Sequence, residues 1–193
     1  MANFNEAYNI TLKHEGGYSN DSDDAGGETY KGISRRYNPS WEGWVLIDQY
    51  KQHPNFPNSA YNDSRLDKMV KDFYKDHYWD VNLLDEFNSQ NIANEMFDTG
   101  VNLGVGSAAK FLQMSLNVLN KNGTKWDDMT VDSKIGTSSL KALNACLSLT
   151  GDEVLFKVMN ILQGMHYVET MNKSKTQEKY AYGWLSRVNF IKG

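Results

Sequence analysis

The sequence predicts a mainly α-helical fold with a small β-hairpin flap after the first helix, and three observations lead there. Apolar residues recur at the i, i+3, i+4, i+7 spacing of a helix face in window after window of the 193 residues. One short run, Thr29-Tyr30-Lys31-Gly32-Ile33, instead reads as a β-strand bounded by glycines. The composition, 40% hydrophobic and 12% aromatic, supplies a real core for one domain or two small lobes.

Taken in order, Phe4, Ala7, Tyr8, Thr11 and Leu12 line one face of a first helix running to Lys13, and Gly16 and Gly17 can take the positive φ that stops it. The loop and a two-stranded flap follow to about Ser34. Arg35 to Asn62 holds all three prolines and supports only a short helix around Trp44 to Gln52. Its aromatic residues, Trp41, Trp44, Tyr50 and Tyr61, either stack on sugar faces or cover a small core. Ser64-Arg65-Leu66-Asp67 resembles a capping box heading a helix whose stripe is Leu66, Met69, Val70, Phe73, Tyr74 and His77, ending near Tyr78 or Trp79. Asn91 to Leu103 is the next helix. On it Gly100 and Gly104 share a face that lets a neighbouring helix approach. Asp98 and Asn102 are i, i+4 neighbours, suited to a buried polar network or to substrate contact. Helices are also expected over Ser107 to Asn120, Ser138 to Leu147, Asp152 to Met171 and Ser174 to Phe190, the last two as an antiparallel pair.

Composition excludes several functions. A net charge of −4 with no basic block leaves no nucleic-acid footprint. The single cysteine, Cys146, cannot form an internal disulfide and reads as a small buried hydrophobe. The four histidines, His14, His53, His77 and His166, lack the paired spacing of a zinc site, so no metal and no cofactor is expected. No run approaches the ~20 apolar residues of a membrane span, and MANFNEAYN lacks the basic and apolar regions of a secretion signal. The expectation is therefore a monomer without membrane insertion, made in the cytoplasm and reaching its site by another route.

The chemistry concentrates in Lys13 to Ser34. Glu15 falls at a helix C-terminus, where the negative end of the macrodipole and burial against Tyr8, Tyr18 or Tyr30 would both raise its pKa. A raised carboxyl pKa is what a general acid needs near neutral pH. The loop then offers Asp21, Asp23, Asp24 and Glu28 as second carboxylates, with Ser19 and Thr29 as hydroxyls. One proton donor and one ionised carboxylate are the minimal set for cleaving a glycosidic bond. The same segment also reads as a solvated turn or a calcium loop, although it lacks the acidic spacing and closing glutamate of an EF-hand.

The run H-E-G-G-Y-S-N-D-S-D-D-A-G-G-E-T-Y-K-G-I-S resembles the signature of glycoside hydrolase family 108, the bacterial and phage N-acetylmuramidases. That signature is E-G-G-[YF]-x-N-D-x-x-D-x-G-G-x-T-x-x-G-I, and every fixed position is filled. Tyr78-Trp79, the segment Phe97 to Gly104, Leu112-Gln113 and the segment Gly183 to Val188 resemble further landmarks of the family, in order. Trp41 to Asn62 reads as an insertion, and Glu28 stands where the family favours small residues, which leaves the partner of Glu15 open.

The resemblance implies a lysozyme-like helical fold, with residues 1–95 as a catalytic lobe and residues 96–193 as a helical lobe resembling a peptidoglycan-binding domain. It implies cleavage of the β-1,4 bond between N-acetylmuramic acid and N-acetylglucosamine in peptidoglycan glycan strands, with Glu15 as the acid. Asp24 and Thr29 resemble, one residue out of step, the remainder of the Glu-Asp-Thr set of phage-type lysozymes. Tyr18, Asp21, Glu28, Tyr30, Asp98 and Asn102 are the substrate-contact candidates. A lysin of this kind acts at the cell wall after release by a holin or another route. Val131 to Thr137 resembles the D-G-x-x-G-P-x-T segment of small peptidoglycan-binding domains but has Ser133 and Thr137 where that segment has Gly and Pro. The alternative is a wall-binding or localisation module that kept the shape and lost turnover.

Overall fold

The structure, a computed structural model, describes residues 1–12, 17–20 and 27–189. It is mainly α-helical, with a small three-stranded antiparallel sheet after the first helix. The chain forms two compact units: residues 8–77, and residues 1–7 together with 78–193.

In the smaller unit, the end of α1 (Phe4–Thr11) leads to β1 (Tyr18–Asn20), β2 (Glu28–Tyr30) and β3 (Ile33–Ser34). The run expected to be one strand is two. Lys31 and Gly32 have φ of 44° and 79°, the two consecutive positive values that a tight hairpin turn requires, so the chain reverses there and Tyr30 pairs with Ile33. The helices α2 (Gly43–Tyr50), α3 (Asn58–Tyr61) and α4 (Ser64–Tyr74) complete the unit. Tyr30, Ile33, Trp44, Ile47, Ala60, Leu66, Val70 and Tyr74 are buried in its core. Tyr30 Oη donates to the Ala60 carbonyl (3.2 Å), Tyr74 Oη to the Lys31 carbonyl (2.9 Å) and Trp44 Nε1 to the Asn38 carbonyl (2.8 Å), so each buried aromatic polar tip is satisfied. Trp44 is thus a core residue, whereas Trp41 is only half-buried.

The cap of α4 lies one residue earlier than the capping-box reading: Asp63 accepts from the Arg65 backbone N–H at 2.8 Å, and Ser64 is already helical. The expected stripe holds through Tyr74. Lys75–Trp79 then widens into a π-turn, and His77 is exposed, its ring stacked 4.2 Å from Phe73.

The larger unit is built on α5 (Gln90–Leu103), α6 (Val105–Leu119), α7 (Thr137–Thr150) and α8 (Glu153–Lys173). Ser89 caps α5 by accepting from the Ile92 N–H, and its own hydroxyl donates to Asp152 Oδ2 at 2.7 Å. Trp79, fully buried, meets Phe4 and Phe97 edge-on and donates to Asp85 Oδ1 at 2.8 Å. Of the two glycines expected to admit a neighbour, only Gly100 does so, with Val105 lying 3.7 Å from where a β-carbon would stand. Gly104, at φ 89°, is instead the break that turns α5 into α6.

Three amides on one face of α6 hold the following loop. Gln113 Nε2 donates to Asp132 Oδ1 (2.8 Å) and the Lys134 carbonyl (2.9 Å) while its Oε1 accepts from the Ser133 N–H (3.0 Å). Asn117 exchanges two hydrogen bonds with Met129, and Asn120 ties Asp128 and Gly123. The expected helix from Ser174 onward is not a single α-helix. Lys175–Tyr180 is a 3-10 segment, α9 spans only Ala181–Leu185, and a turn follows. Tyr167, Trp184 and Tyr180 stack in a row, with centroids 5.2 and 5.6 Å apart, and fasten this segment to α8. Cys146 is buried and free, as its sequence context predicts.

Candidate active site

Glu15, Asp21 and Asp24, the three acidic candidates nearest the signature's centre, lie outside the described residues, as does Asp23. The described part of the site is the sheet that borders them in sequence. Its register, Tyr18↔Tyr30, Ser19↔Thr29 and Asn20↔Glu28, with Thr29↔Ser34 on the other side, sorts the strands' side chains onto two faces. Tyr18, Glu28, Tyr30 and Ile33 share one face. Ser19, Thr29 and Ser34 share the other, which is a row of three hydroxyls.

On the first face Glu28 is a structural anion. Its carboxylate accepts from Tyr18 Oη (3.0 Å) and from Arg35 Nη1 (3.1 Å) and is paired with Lys51. Arg35 in turn makes a two-pronged contact with Asp48 at 2.7 Å on each prong. Burial alone would raise the Glu28 pKa, but the bonds from Lys51, Tyr18 and Arg35 outweigh it and hold the group below the ordinary glutamate value. Glu28 therefore stays ionised at neutral pH. Its side chain is 13% exposed.

Tyr18 lies beneath Lys51, whose ammonium is 5.6 Å from its ring centroid, and against Phe56 at 4.5 Å. Its backbone N–H donates to Tyr61 Oη at 2.7 Å. The same hydroxyl explains Gly17, since a β-carbon there would stand 2.0 Å from it. Tyr30 is 1% exposed, so its ring faces the core and offers no surface to a sugar. Thr29 is half-buried in the middle of the hydroxyl row.

Asp98 and Asn102 belong to the larger unit. Asp98 pairs with Arg187 at 2.7 Å, and Asn102 Nδ2 donates to the Asp98 backbone carbonyl at 2.8 Å, so of the two readings left open the polar network is the one these contacts build. That network includes a residue the sequence reading passed over, Glu95, which is 5% exposed on α5. Burial, and secondarily the charge of Asp98, push its pKa up to about 7, against the hydrogen bonds from Asn160 and Thr99. Burial also raises Asp98, opposed by Arg187. The signal was present: Glu95 falls at i+3 from Ile92 and one residue before Met96, on the apolar stripe itself. Among the described residues no group of His, Cys, Asp and Glu is arranged to hold a metal ion.

Residues 8–104, half of the chain, match the model of the Glycosyl hydrolase 108 family. The chain belongs to that family. Residues 107–189 of this family member match a second model, described as a Predicted Peptidoglycan domain. A search of the curated proteins finds no match. Among solved structures, the fold is similar to that of Brucella abortus SagA, with a TM-score of 0.61 at 19% identity over 96% of this chain and 88% of that one. The two family matches together make this glycosyl hydrolase 108 member a peptidoglycan hydrolase by class, with peptidoglycan as its substrate and the cell wall as its place of action. No described helix is long and apolar enough to cross a membrane.

Proposed function

We propose that the protein is an N-acetylmuramidase that hydrolyses the β-1,4 bond between N-acetylmuramic acid and N-acetylglucosamine. The observation that carries this is the family match over residues 8–104, within which the complete E-G-G-Y-x-N-D-x-x-D-x-G-G-x-T-x-x-G-I pattern stands. In the mechanism, Glu15 protonates the leaving glycosidic oxygen, and Asp24 activates water or steadies the oxocarbenium-like charge that develops on the sugar. Thr29, on the hydroxyl face of β2, positions that water. Glu28 is ionised, but its carboxylate is already engaged by Lys51, Arg35 and Tyr18, which supports a loop aspartate as the second group. Tyr18, Asp21 and Glu28 shape the sheet and loop around the substrate. Asp98 and Asn102 act through the packing of α5. Hydrolysis of this kind needs no metal or cofactor. The biological reading is a monomeric, bacteriolytic endolysin of phage type that reaches the wall through a holin or another release route, its wall affinity supplied by the region matched at residues 107–189.

The test is a Glu15→Gln variant assayed for turbidity loss on purified peptidoglycan alongside a pull-down. The expected result is normal wall binding with clearing abolished. Clearing at the parental rate would remove Glu15 from the mechanism, and a parental protein that binds without clearing would be a localisation module.

A further inference from the structure

The larger unit contains an open groove of about 660 Å³ that the proposed hydrolysis does not use. It runs between the loop after α6 and the start of α7, and its lining includes Trp126, Asp127, Thr130, Lys134, Ser138 and Lys141. The volume falls within the range of sites that hold a ligand of several rings. From this groove we infer that the C-terminal region holds the glycan backbone of peptidoglycan, as a run of N-acetylated amino sugars, rather than its stem peptide. The inference rests on the peptidoglycan reading above and deepens it by naming a site and a ligand class.

Three features point to a sugar. Trp126 is a half-buried ring whose indole N–H donates to the Leu116 carbonyl at 3.1 Å, so the ring is held in one orientation where it lines the groove. A fixed indole face is the surface on which the C–H face of a pyranose packs, at a low entropic cost because the ring is already ordered. Around it the polar groups are of both signs and interleaved with hydroxyls: Asp127, Asp128 and Asp132 against Lys134 and Lys141, with Thr130 and Ser138 between. Such a lining offers donors and acceptors to neutral hydroxyl and acetamido groups, whereas a stem peptide, which carries free carboxylates, would be met by more carboxylates than amines.

The groove is also built before the ligand arrives. The Gln113, Asn117 and Asn120 amides hold the loop that forms one wall, from Gly123 through Lys134. Ser133 within that loop has φ 62°, a left-handed conformation that the Gln113 Oε1 bond to its N–H holds in place.

The experiment is co-sedimentation of the full chain, carrying Glu15→Gln so that the polymer survives, with two materials: intact purified peptidoglycan, and glycan strands stripped of stem peptides by an amidase, their freed lactyl carboxyls converted to amides and the strands coupled to beads. The variants are Trp126→Ala and, because loss of a half-buried ring can also unfold the loop, Ser138→Arg, which fills the groove from an exposed position. Affinity for both materials is expected to fall at least about tenfold in each variant. The melting temperature of Ser138→Arg should be unchanged, as should the hydrolysis rate of a short soluble oligosaccharide when Ser138→Arg is placed in the active enzyme.

Stripped strands that bind Ser138→Arg as tightly as the parent overturn the site. A parent that sediments with intact peptidoglycan and not with stripped strands overturns the ligand class. Groove-dependent binding by a protein that releases no reducing ends would leave this inference standing and remove the muramidase reading.

Discussion

Glu28 and Glu95 are carboxylates in opposite electrostatic situations, and the difference sets two pH dependences of opposite sign. Glu28, ringed by Lys51, Arg35 and Tyr18, has a folded pKa below its unfolded one. Its contribution to stability is present above the unfolded value and is lost as pH falls through the folded one. Glu28→Gln should lower stability at pH 7 by about 1–3 kcal/mol, because it leaves two cations facing a neutral amide. Urea melts would measure this, and hydrolysis at a permissive temperature should stay within about tenfold of the parent if Glu28 only braces the sheet. A collapse of activity with an unchanged melt would instead make it a catalytic group.

Glu95 runs the other way. Its pKa is raised from 4.5 to about 7, so the folded state binds the extra proton, and the stability associated with it is fully present below pH 4.5 and lost as pH rises through 7. The size is on the order of 3 kcal/mol, with Asp98 adding in the same direction. Melting temperatures from pH 5 to pH 8 should fall in the parent and flatten in Glu95→Gln. An equal slope in both would take Glu95 out of this account.

At the scale of the element, the loop after α6 is held most heavily by the Gln113 amide and carries three non-glycine residues at positive φ, Lys121, Asn122 and Ser133. Gln113→Ala removes three bonds from Asp132, Ser133 and Lys134 at once and should cost about 2–4 kcal/mol, seen as a lower denaturant midpoint. Ser133→Gly, which restores the glycine of the related segment at a φ of 62°, should stabilise by up to about 1 kcal/mol in the same assay. Destabilisation by that glycine would show that Ser133 is not strained.

The elements also show what could be read from the chain. The helices from α4 through α8 were legible because each must bury one stripe, and periodicity records that demand directly. The β2–β3 reversal was missed because Lys31 is a poor advertisement for a left-handed turn position, even with Gly32 beside it. The α4 cap was misplaced by one residue because Asp63 and Ser64 are both good caps and only geometry chooses between them. The region after Ser174 gave a helical pattern, but its aromatics, Tyr180 and Trp184, are committed to a stack on Tyr167 that a 3-10 segment followed by a short helix satisfies. At the candidate site, the motif named the residues while the register decided their faces. It put Thr29 with the hydroxyls and Tyr30 in the core, a distinction that residue identity alone does not carry.

For the whole molecule, two matched regions share one substrate: residues 8–104 bring the glycosidase family and residues 107–189 the peptidoglycan domain. The match boundary falls at the Gly104 break between α5 and α6, yet α5, α6 and α8 pack in one compact unit, so the wall-directed helices and the last helix of the glycosidase region share a core. The central claim is the bond that is cut. Purified peptidoglycan digested by the protein, reduced with borohydride and resolved by mass spectrometry, should show every new reducing end on N-acetylmuramic acid, with none released by Glu15→Gln. New ends on N-acetylglucosamine, or full release by the variant, would contradict the account.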